Sequence, residues 1–146
     1  MENNRFTKEI YDDLKQKLSK NGEYETLLYL ILQVEYGIEN DDLFLIKYSQ
    51  VKFPYIENVK YSYPIKGIIP CYINIRINSG IMELIFKTYM SNKSTRLFDR
   101  NNEYYCEKIF SICNTKIDSR SIQKMRMQYV LWAFNTVEKQ YKRNRK

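Results

Sequence analysis

The sequence has no histidine in 146 residues, and only four glycines and three prolines. Without histidine the chain lacks the commonest general base and a usual zinc ligand, so an enzyme of this composition would depend on Asp, Glu, Lys, Tyr, Cys or Arg. Few glycines and prolines, together with 44% apolar and 15% aromatic residues, are typical of a folded globular chain. At this length we expect a single domain, residues 1–146, with one core.

The chain also lacks metal-site and targeting patterns. Its three cysteines, Cys71, Cys106 and Cys113, form no C-x-x-C pair, which predicts buried free thiols with no metal and no other cofactor. It has neither the basic start and apolar stretch of a signal peptide nor a run of roughly 20 apolar residues that could span a membrane. We therefore expect a cytoplasmic protein with no membrane partner.

Charge is unevenly distributed in a chain whose net charge is +7. Residues 1–50 contain 6 Lys and Arg and 10 Asp and Glu, residues 51–100 contain 8 and 3, and residues 101–146 contain 10 and 4. The net charges of the three segments are therefore −4, +5 and +6. A basic second half predicts a polyanionic partner, and nucleic acid is the usual candidate. The alternative is a solvated basic surface in a chain that is simply rich in Lys.

Apolar periodicity predicts a mainly helical α+β fold. Thr7 is expected to cap an amphipathic first helix that ends at Asn21 and Gly22. The second helix, YETLLYLILQVEY, is apolar on nearly all sides, which places it at the centre of the core. Gly37 fits the C′ position that follows this helix.

An acidic stretch, ENDD, comes directly after that glycine. It predicts a short third helix ending near Lys47, with Asn40, Asp41 and Asp42 at its start, where carboxylates complement the helix dipole. This interpretation makes the acidic stretch a local stabilising feature.

Residues 51–76 change to a period of two. Val59, Tyr61 and Tyr63 alternate with polar residues, and Lys66-Gly67 suits a turn, so we predict a small antiparallel sheet or hairpin. GIMELIFKTYM and NEYYCEKIFSICN return to helical spacing, and a last helix is predicted from Ser119 or Ser121 to the terminus.

In the last helix, an arginine lies near the middle of an apolar stripe. At 100° per residue the stripe consists of Ile122, Met125, Tyr129, Val130, Ala133 and Val137. Arg120, Lys124 and Lys142 fall on the far side. An unpaired buried charge is costly, so Arg126 is expected either to pair with a carboxylate or to reach into an anion-binding cleft.

Four segments, in order, resemble the catalytic domain of the tyrosine recombinases, the phage-integrase family. YLILQVEYGIENDDLFLIKYSQV is similar to the box that opens this domain, an apolar helix followed by T-G-[LI]-R-x-x-E-L, and SIQKMRMQYV is similar to the later H-x-L-R-H box. Between them, YSYPIKGIIPCYINI corresponds to a lysine-bearing β-hairpin and TRLFD to a short L-F motif. The resemblance implies a recombinase-like core over residues 22–137, flanked by an N-terminal helix (1–21) and a basic tail (138–146), without the family's separate N-terminal domain.

The same resemblance implies a site that has lost its chemistry. Glu39 stands in the position of the family's first phosphate-binding arginine, Gln123 in that of the box histidine and Met127 in that of its second histidine, whereas Arg126 and Lys66 keep the second arginine and the hairpin lysine. A carboxylate there reverses an interaction of about 4 kcal/mol, the value for unit charges about 4 Å apart at an effective dielectric of about 20. We therefore expect no DNA cleavage, and Glu39 is open to a second interpretation as the ion-pair partner of Arg126.

The leading hypothesis is a non-catalytic DNA-binding protein, a regulator or accessory factor of a phage, plasmid or other mobile element. Double-stranded DNA would be held by the cations of the basic half. These are Lys60, Lys66, Arg76, Lys116, Arg120, Lys124, Arg126, Lys139, Lys142, Arg143, Arg145 and Lys146. The alternative is a protein-interaction module that pairs with a full-length recombinase or forms a homo-oligomer, which the fourteen tyrosines would suit.

An enzyme is the third hypothesis. Tyr141 is the candidate nucleophile of a residual recombinase or relaxase, but it follows Arg126 by only fifteen residues, closer than the family places its tyrosine. A metal nuclease would need Asp41 and Asp42, whose side chains point about 100° apart on a helix and rarely ligate one ion together. We predict no catalytic residue.

Overall fold

The computed structural model describes residues 7–61 and 71–144. Six helices and a three-stranded antiparallel sheet make up the described part of the chain, which confirms the mainly helical α+β class. The elements in chain order are α1 (Lys8–Lys20), α2 (Tyr24–Val34), α3 (Asn40–Leu43), a 3₁₀ turn (Tyr48–Gln50), β1 (Val51–Lys52), β2 (Tyr55–Lys60), β3 (Tyr72–Arg76), α4 (Ser79–Asn92), α5 (Asn102–Cys113) and α6 (Ser119–Asn144).

The second helix is the centre of the core, as predicted. Every residue of α2 from Thr26 to Val34 is buried, and α1, α3, α4, α5 and α6 all contact it. Buried side chains from these helices and from the sheet form one hydrophobic cluster with α2. A helix that is covered on all sides can be apolar on all sides, which explains its sequence.

The first helix begins and ends where the sequence predicts. Thr7 Oγ1 accepts a hydrogen bond from Ile10 N at 3.3 Å and so caps α1, whose Tyr11 and Leu14 are buried. The helix ends at Asn21, and Gly22 follows with a φ of +70°. This conformation favours glycine, as the predicted Asn-Gly stop requires.

The third helix is shorter than expected, because it ends at Leu43 and not near Lys47. Lys47 forms an isolated antiparallel bridge with Arg96, and Leu97 N donates to Ile46 O at 3.1 Å. This pairing draws the chain after α3 into an extended conformation. A contact across some fifty residues of chain therefore ends the helix, and no local signal announces it.

The sheet has the order β1-β2-β3 with antiparallel pairs throughout. Ile56 faces Ile75 and Val59 faces Ile73, and a bulge between these pairs holds Asn58 at a φ of +56°. Tyr61 N donates to Cys71 O and extends the pairing beyond β2. The predicted Tyr63 and the Lys66-Gly67 turn lie outside the described residues.

The fourth and fifth helices match the prediction and start with asparagine caps. Asn78 accepts from Ile81 N at 2.9 Å, and Asn101 accepts from Tyr104 N at 2.9 Å.

The prediction of buried free thiols is confirmed only in part. All three cysteines are free, but only Cys113 is buried, whereas Cys106 is partly exposed and Cys71 is exposed. Cys71 immediately precedes β3, at the edge of the described sheet, which explains its exposure.

The last helix contradicts part of the predicted stripe. Ile122 and Met125 are buried and Tyr129 is partly buried, but Val130 and Val137 are exposed. The start of α1 reaches α6 near Trp132, where Lys8 Nζ lies 4.2 Å from the indole ring centroid. Val137 lies beyond that point, whereas Val130 lies before it, on a part of α6 that α1 leaves uncovered.

The residues predicted as a basic tail belong to α6 as far as Asn144. Within residues 7–61 and 71–144, no helix combines the length and the apolar character that crossing a bilayer requires.

Candidate functional site

Arg126 lies where α6 packs against the C-terminal end of α2. Its Nη1 donates to the carbonyl oxygens of Val34 and Glu35, both at 2.9 Å, and its side chain is partly buried. Carbonyls at a helix end have no partner within the helix, and a cation beside them also complements the negative end of the dipole. Arg126 therefore caps α2. This role is neither the pairing with a carboxylate nor the anion-binding cleft that the sequence predicted.

Gly37 makes this contact possible. It has a φ of +71°, as expected for the C′ position, and a Cβ built on it would lie 2.7 Å from Arg126 Nη2. The sequence predicted the turn but not the close approach of the guanidinium. Any side chain at this position would both strain the backbone and displace Arg126 from the two carbonyls.

Glu39 is the N-cap residue of α3 and is partly exposed. Among the residues that the structure describes, no salt bridge joins it to Arg126. The proposed ion pair is therefore wrong, because the guanidinium is bound to main-chain carbonyls instead. Gln123 and Met127 lie exposed on the outer surface of α6, and Lys66 lies outside the described residues.

The carboxylate beside this helix junction is that of Glu35, which was not among the predicted site residues. Its Oε2 accepts from Tyr11 Oη at 2.8 Å and from Lys15 Nζ at 2.9 Å. Burial and then the Glu35 charge raise the pKa of Tyr11, whose ring packs edge-on against Tyr129 of α6. The junction of α1, α2 and α6 is thus held by an internal polar network, with its charges engaged within the protein.

Three predicted DNA contacts form an exposed series that we call the basic row: Lys116, Arg120 and Lys124. They recur every four residues, just before and along the first turns of α6, so Arg120 and Lys124 share one helix face. No salt bridge among the described residues engages any of the three. The basic row is therefore a group of three exposed cations at the start of α6, although the charge of Arg120 also acts on the neighbouring Asp118 carboxylate, whose pKa it helps to lower.

The other predicted contacts are dispersed. Arg76 is exposed on β3, its guanidinium 5.7 Å from the Tyr55 ring centroid, and Lys60 is partly buried at the end of β2. The distal group, Lys139, Lys142 and Arg143, is exposed on the last turns of α6, where Lys142 lies 3.5 Å from Glu138. Arg145 and Lys146 lie outside the described residues.

Tyr141 lies on the same continuous helix as Arg126. Fifteen residues at 1.5 Å per residue separate them by roughly 22 Å along the axis, so within one copy the tyrosine hydroxyl does not reach the guanidinium. Asp41 is exposed and Asp42 is buried, so their side chains diverge. Within the described residues, no three Asp, Glu or Cys side chains gather as metal ligands.

An open depression of about 550 Å³ lies at the starts of α3 and α5. Charges of both signs line it: Asp41, Asp99, Arg96 and Arg100. Another lining residue, Asn102, accepts a hydrogen bond from the buried Tyr29 hydroxyl, and burial raises the pKa of that tyrosine. With two acids and two bases, the depression offers no net attraction for an anion.

Comparisons of this chain with family models, with curated proteins and with solved structures found no match. The resemblance to tyrosine recombinases therefore stays a prediction that rests on the four motifs.

Proposed function

We propose that this chain is a non-catalytic DNA-binding protein that holds the phosphate backbone with the basic row. The observation that carries the proposal is the exposure of Lys116, Arg120 and Lys124 with no salt bridge to a described carboxylate. Cations that are not already paired can release the counterions of DNA, which is the main source of sequence-independent affinity.

The distribution of charge over the elements supports the same proposal. Part of the acidic charge in the first fifty residues is compensated on α1, where Asp12 pairs with Lys8 at 2.7 Å and Asp13 with Lys17 at 3.0 Å. The excess of positive charge belongs to the later elements, with Arg76 on the sheet and Lys139 and Arg143 at the far end of α6 as further phosphate contacts. A polyanion would therefore be drawn to the side of the molecule that carries α6.

The residues around Arg126 support a role without catalysis. Its guanidinium caps α2, and Tyr141 lies far along the helix. By the motif resemblance, Glu39 corresponds to a phosphate-binding arginine of the family. The motif resemblance adds the biological setting of this proposal, a regulator or accessory factor of a phage, plasmid or other mobile element.

Fluorescence anisotropy with a labelled DNA duplex tests the proposal. We expect binding at about 50 mM salt that weakens steeply as salt rises. Replacing all three residues of the basic row by Ala should weaken binding and reduce the slope of log K against log salt by about 2 to 3, because each lost phosphate contact contributes about 0.9.

The matched control removes three exposed cations elsewhere, with Lys17, Lys20 and Lys87 replaced by Ala. Equal losses in the two triple variants would show that net charge, and not the basic row, determines affinity. Absence of binding at low salt would contradict the proposal altogether. A nick in supercoiled plasmid that Tyr141→Phe abolishes would contradict its non-catalytic part.

A further inference from the structure

The second half of α6 carries a row of exposed apolar side chains, which we call the seam. Its members are Met127, Val130, Phe134, Val137 and Tyr141, with exposed fractions of 64, 45, 64, 63 and 61%. Their spacing alternates three and four residues, which is the 3.5-residue repeat by which helices of a coiled coil meet. At 100° per residue the seam is a stripe about 80° wide, turned away from the buried Ile122 and Met125.

We propose that the seam binds the seam of a second copy of this chain, with the two α6 helices antiparallel. The inference is independent of DNA binding, since it rests on apolar side chains and not on the basic row.

Side-chain size favours this partner. The apolar positions of the repeat are called a and d, and in an antiparallel coiled coil an a position of one helix faces a d position of the other. One alignment of this kind places Tyr141 against Val130 and Phe134 against Val137. Twofold symmetry repeats the same two layers, so the pair has four layers that each combine a large ring with a small branched side chain. Such alternation fills the space between two helices, whereas a parallel pair would place Phe134 against Phe134 and Tyr141 against Tyr141.

The position of the basic charges is compatible with the antiparallel direction. Lys139, Lys142 and Arg143 form a basic end on α6, on faces roughly 100° or more from the centre of the seam. A parallel pair would place both basic ends at one end of the dimer, whereas the antiparallel pair places them at opposite ends.

The exposed area is sufficient for a weak dimer. With Leu131 at its edge, 52% exposed, the seam presents roughly 600 Å² on each copy, if a whole aromatic side chain contributes about 150 to 250 Å² and an aliphatic one somewhat less. A pair would bury at most roughly 1,200 Å², since Met127 and Leu131 lie outside the four layers, and this is at the lower end of specific interfaces. We therefore expect a dissociation constant of micromolar order.

Sedimentation velocity over a range of concentrations tests the pairing. The wild-type chain should pass from monomer to dimer as its concentration rises, and Phe134→Glu should remain monomeric at every concentration. Both residues are helix-compatible and position 134 is exposed, so the variant should keep the wild-type circular dichroism. Phe86→Glu on α4 is the matched control, because Phe86 is 57% exposed outside the seam, and it should dimerise like the wild type.

Three outcomes would overturn the proposal. They are a wild-type chain that stays monomeric at its highest soluble concentration, a Phe134→Glu variant that dimerises as the wild type does, and a monomer that sediments with phosphatidylserine vesicles through Phe134. Added salt distinguishes dimerisation from DNA binding, since it should weaken DNA binding but leave the dimer intact or strengthen it by screening the net charge of +7 on each copy.

Spin labels determine the direction of the pair. In a chain with Cys71→Ser and Cys106→Ser, labels at Asn135 should lie close to each other across the dimer. Labels at Lys142 should be separated by roughly 20 Å along the axis, from thirteen residues at 1.5 Å. A parallel pair would give short distances at both positions and would contradict the antiparallel arrangement.

Discussion

Gly37 and Arg126 together determine how the central helix ends. Gly37 N donates to Gln33 O and Ile38 N to Leu32 O, so two carbonyls of α2 are satisfied by the turn itself, and Arg126 binds those of Val34 and Glu35. The turn needs a positive φ and the guanidinium needs the space that a Cβ would fill. Both requirements select glycine at one residue.

Gly37→Ala should therefore destabilise the protein more than Gly22→Ala. Both glycines have nearly the same φ, +71° and +70°, but a Cβ on Gly22 meets nothing within 4 Å. We expect the positive φ to cost about 1 to 2 kcal/mol at either position, and the loss of the Arg126 contacts to add about 1 to 2 kcal/mol at Gly37 alone, because Arg126 can move only by giving up its carbonyl partners. Urea unfolding measures both variants.

The background variant Arg126→Met separates the two costs. In that background Gly37→Ala and Gly22→Ala should be equally destabilising, because no guanidinium is left to displace. An excess at Gly37 that persists without Arg126 would contradict the capping role of this arginine.

At the scale of the helix, the start of α6 depends on one carboxylate. Asp118 Oδ1 accepts from Ser121 N at 2.9 Å and from Ser121 Oγ at 3.0 Å. The main-chain bond, then the hydroxyl bond, lowers the pKa of Asp118 below its ordinary value of 3.8. A lowered pKa means that the carboxylate contributes stability above pH 4, and that this contribution is lost as pH falls through the folded-state pKa.

Asp118→Ala should therefore cost about 1 kcal/mol at pH 7, the usual value for a lost N-cap, and less at pH 3. Asp118→Asn is the control, since an uncharged amide caps a helix nearly as well and does not titrate in this range. Thermal unfolding at the two pH values checks the effect. A deficit for Asp118→Ala that is the same at pH 3 and pH 7 would contradict a charge-dependent cap.

The helix starts were predictable because their signals are local. Thr7, Asn78 and Asn101 each accept a hydrogen bond from an amide three residues on, and each is a residue type that favours this position. The end of α3 was not predictable, since Arg96, far along the chain, ends it through Lys47.

The environment of Arg126 could be predicted only in part. Its place on an apolar face follows from helical spacing, but its partners are main-chain carbonyls, which carry no signature in the sequence. Helical spacing also placed Val130 and Val137 on the apolar stripe, whereas both are exposed in the structure. Val137 lies beyond the region of Trp132 that α1 reaches, and α1 leaves Val130 uncovered. Spacing gives the face of a residue, and tertiary packing decides what that face meets.

For the whole molecule, buried phenols link stability to alkaline pH. Tyr29 and Tyr105 stack with ring centroids 4.5 Å apart, and the Tyr105 hydroxyl donates to Glu25. Burial is the first cause that raises the pKa of Tyr11, Tyr29 and Tyr105, and burial also raises the pKa of Tyr48 to about 12. Because the folded-state pKa is raised, these groups contribute stability that is fully present below pH 10. This contribution is lost as pH rises from 10 through the folded-state pKa.

Tyr11→Phe provides the sharpest test, since it keeps the ring in the core and removes the titrating hydroxyl. Wild-type unfolding free energy should fall with pH above 10, by up to about 1.4 kcal/mol per pH unit for each buried phenol, and the variant should fall less steeply by one such contribution. Tyr72→Phe removes an exposed hydroxyl and serves as the control. Comparing variants cancels the lysines, which also titrate in this range. Equal slopes for Tyr11→Phe and the wild type would mean that water reaches the Tyr11 hydroxyl, and that α1 does not hold it against Glu35 at the end of α2.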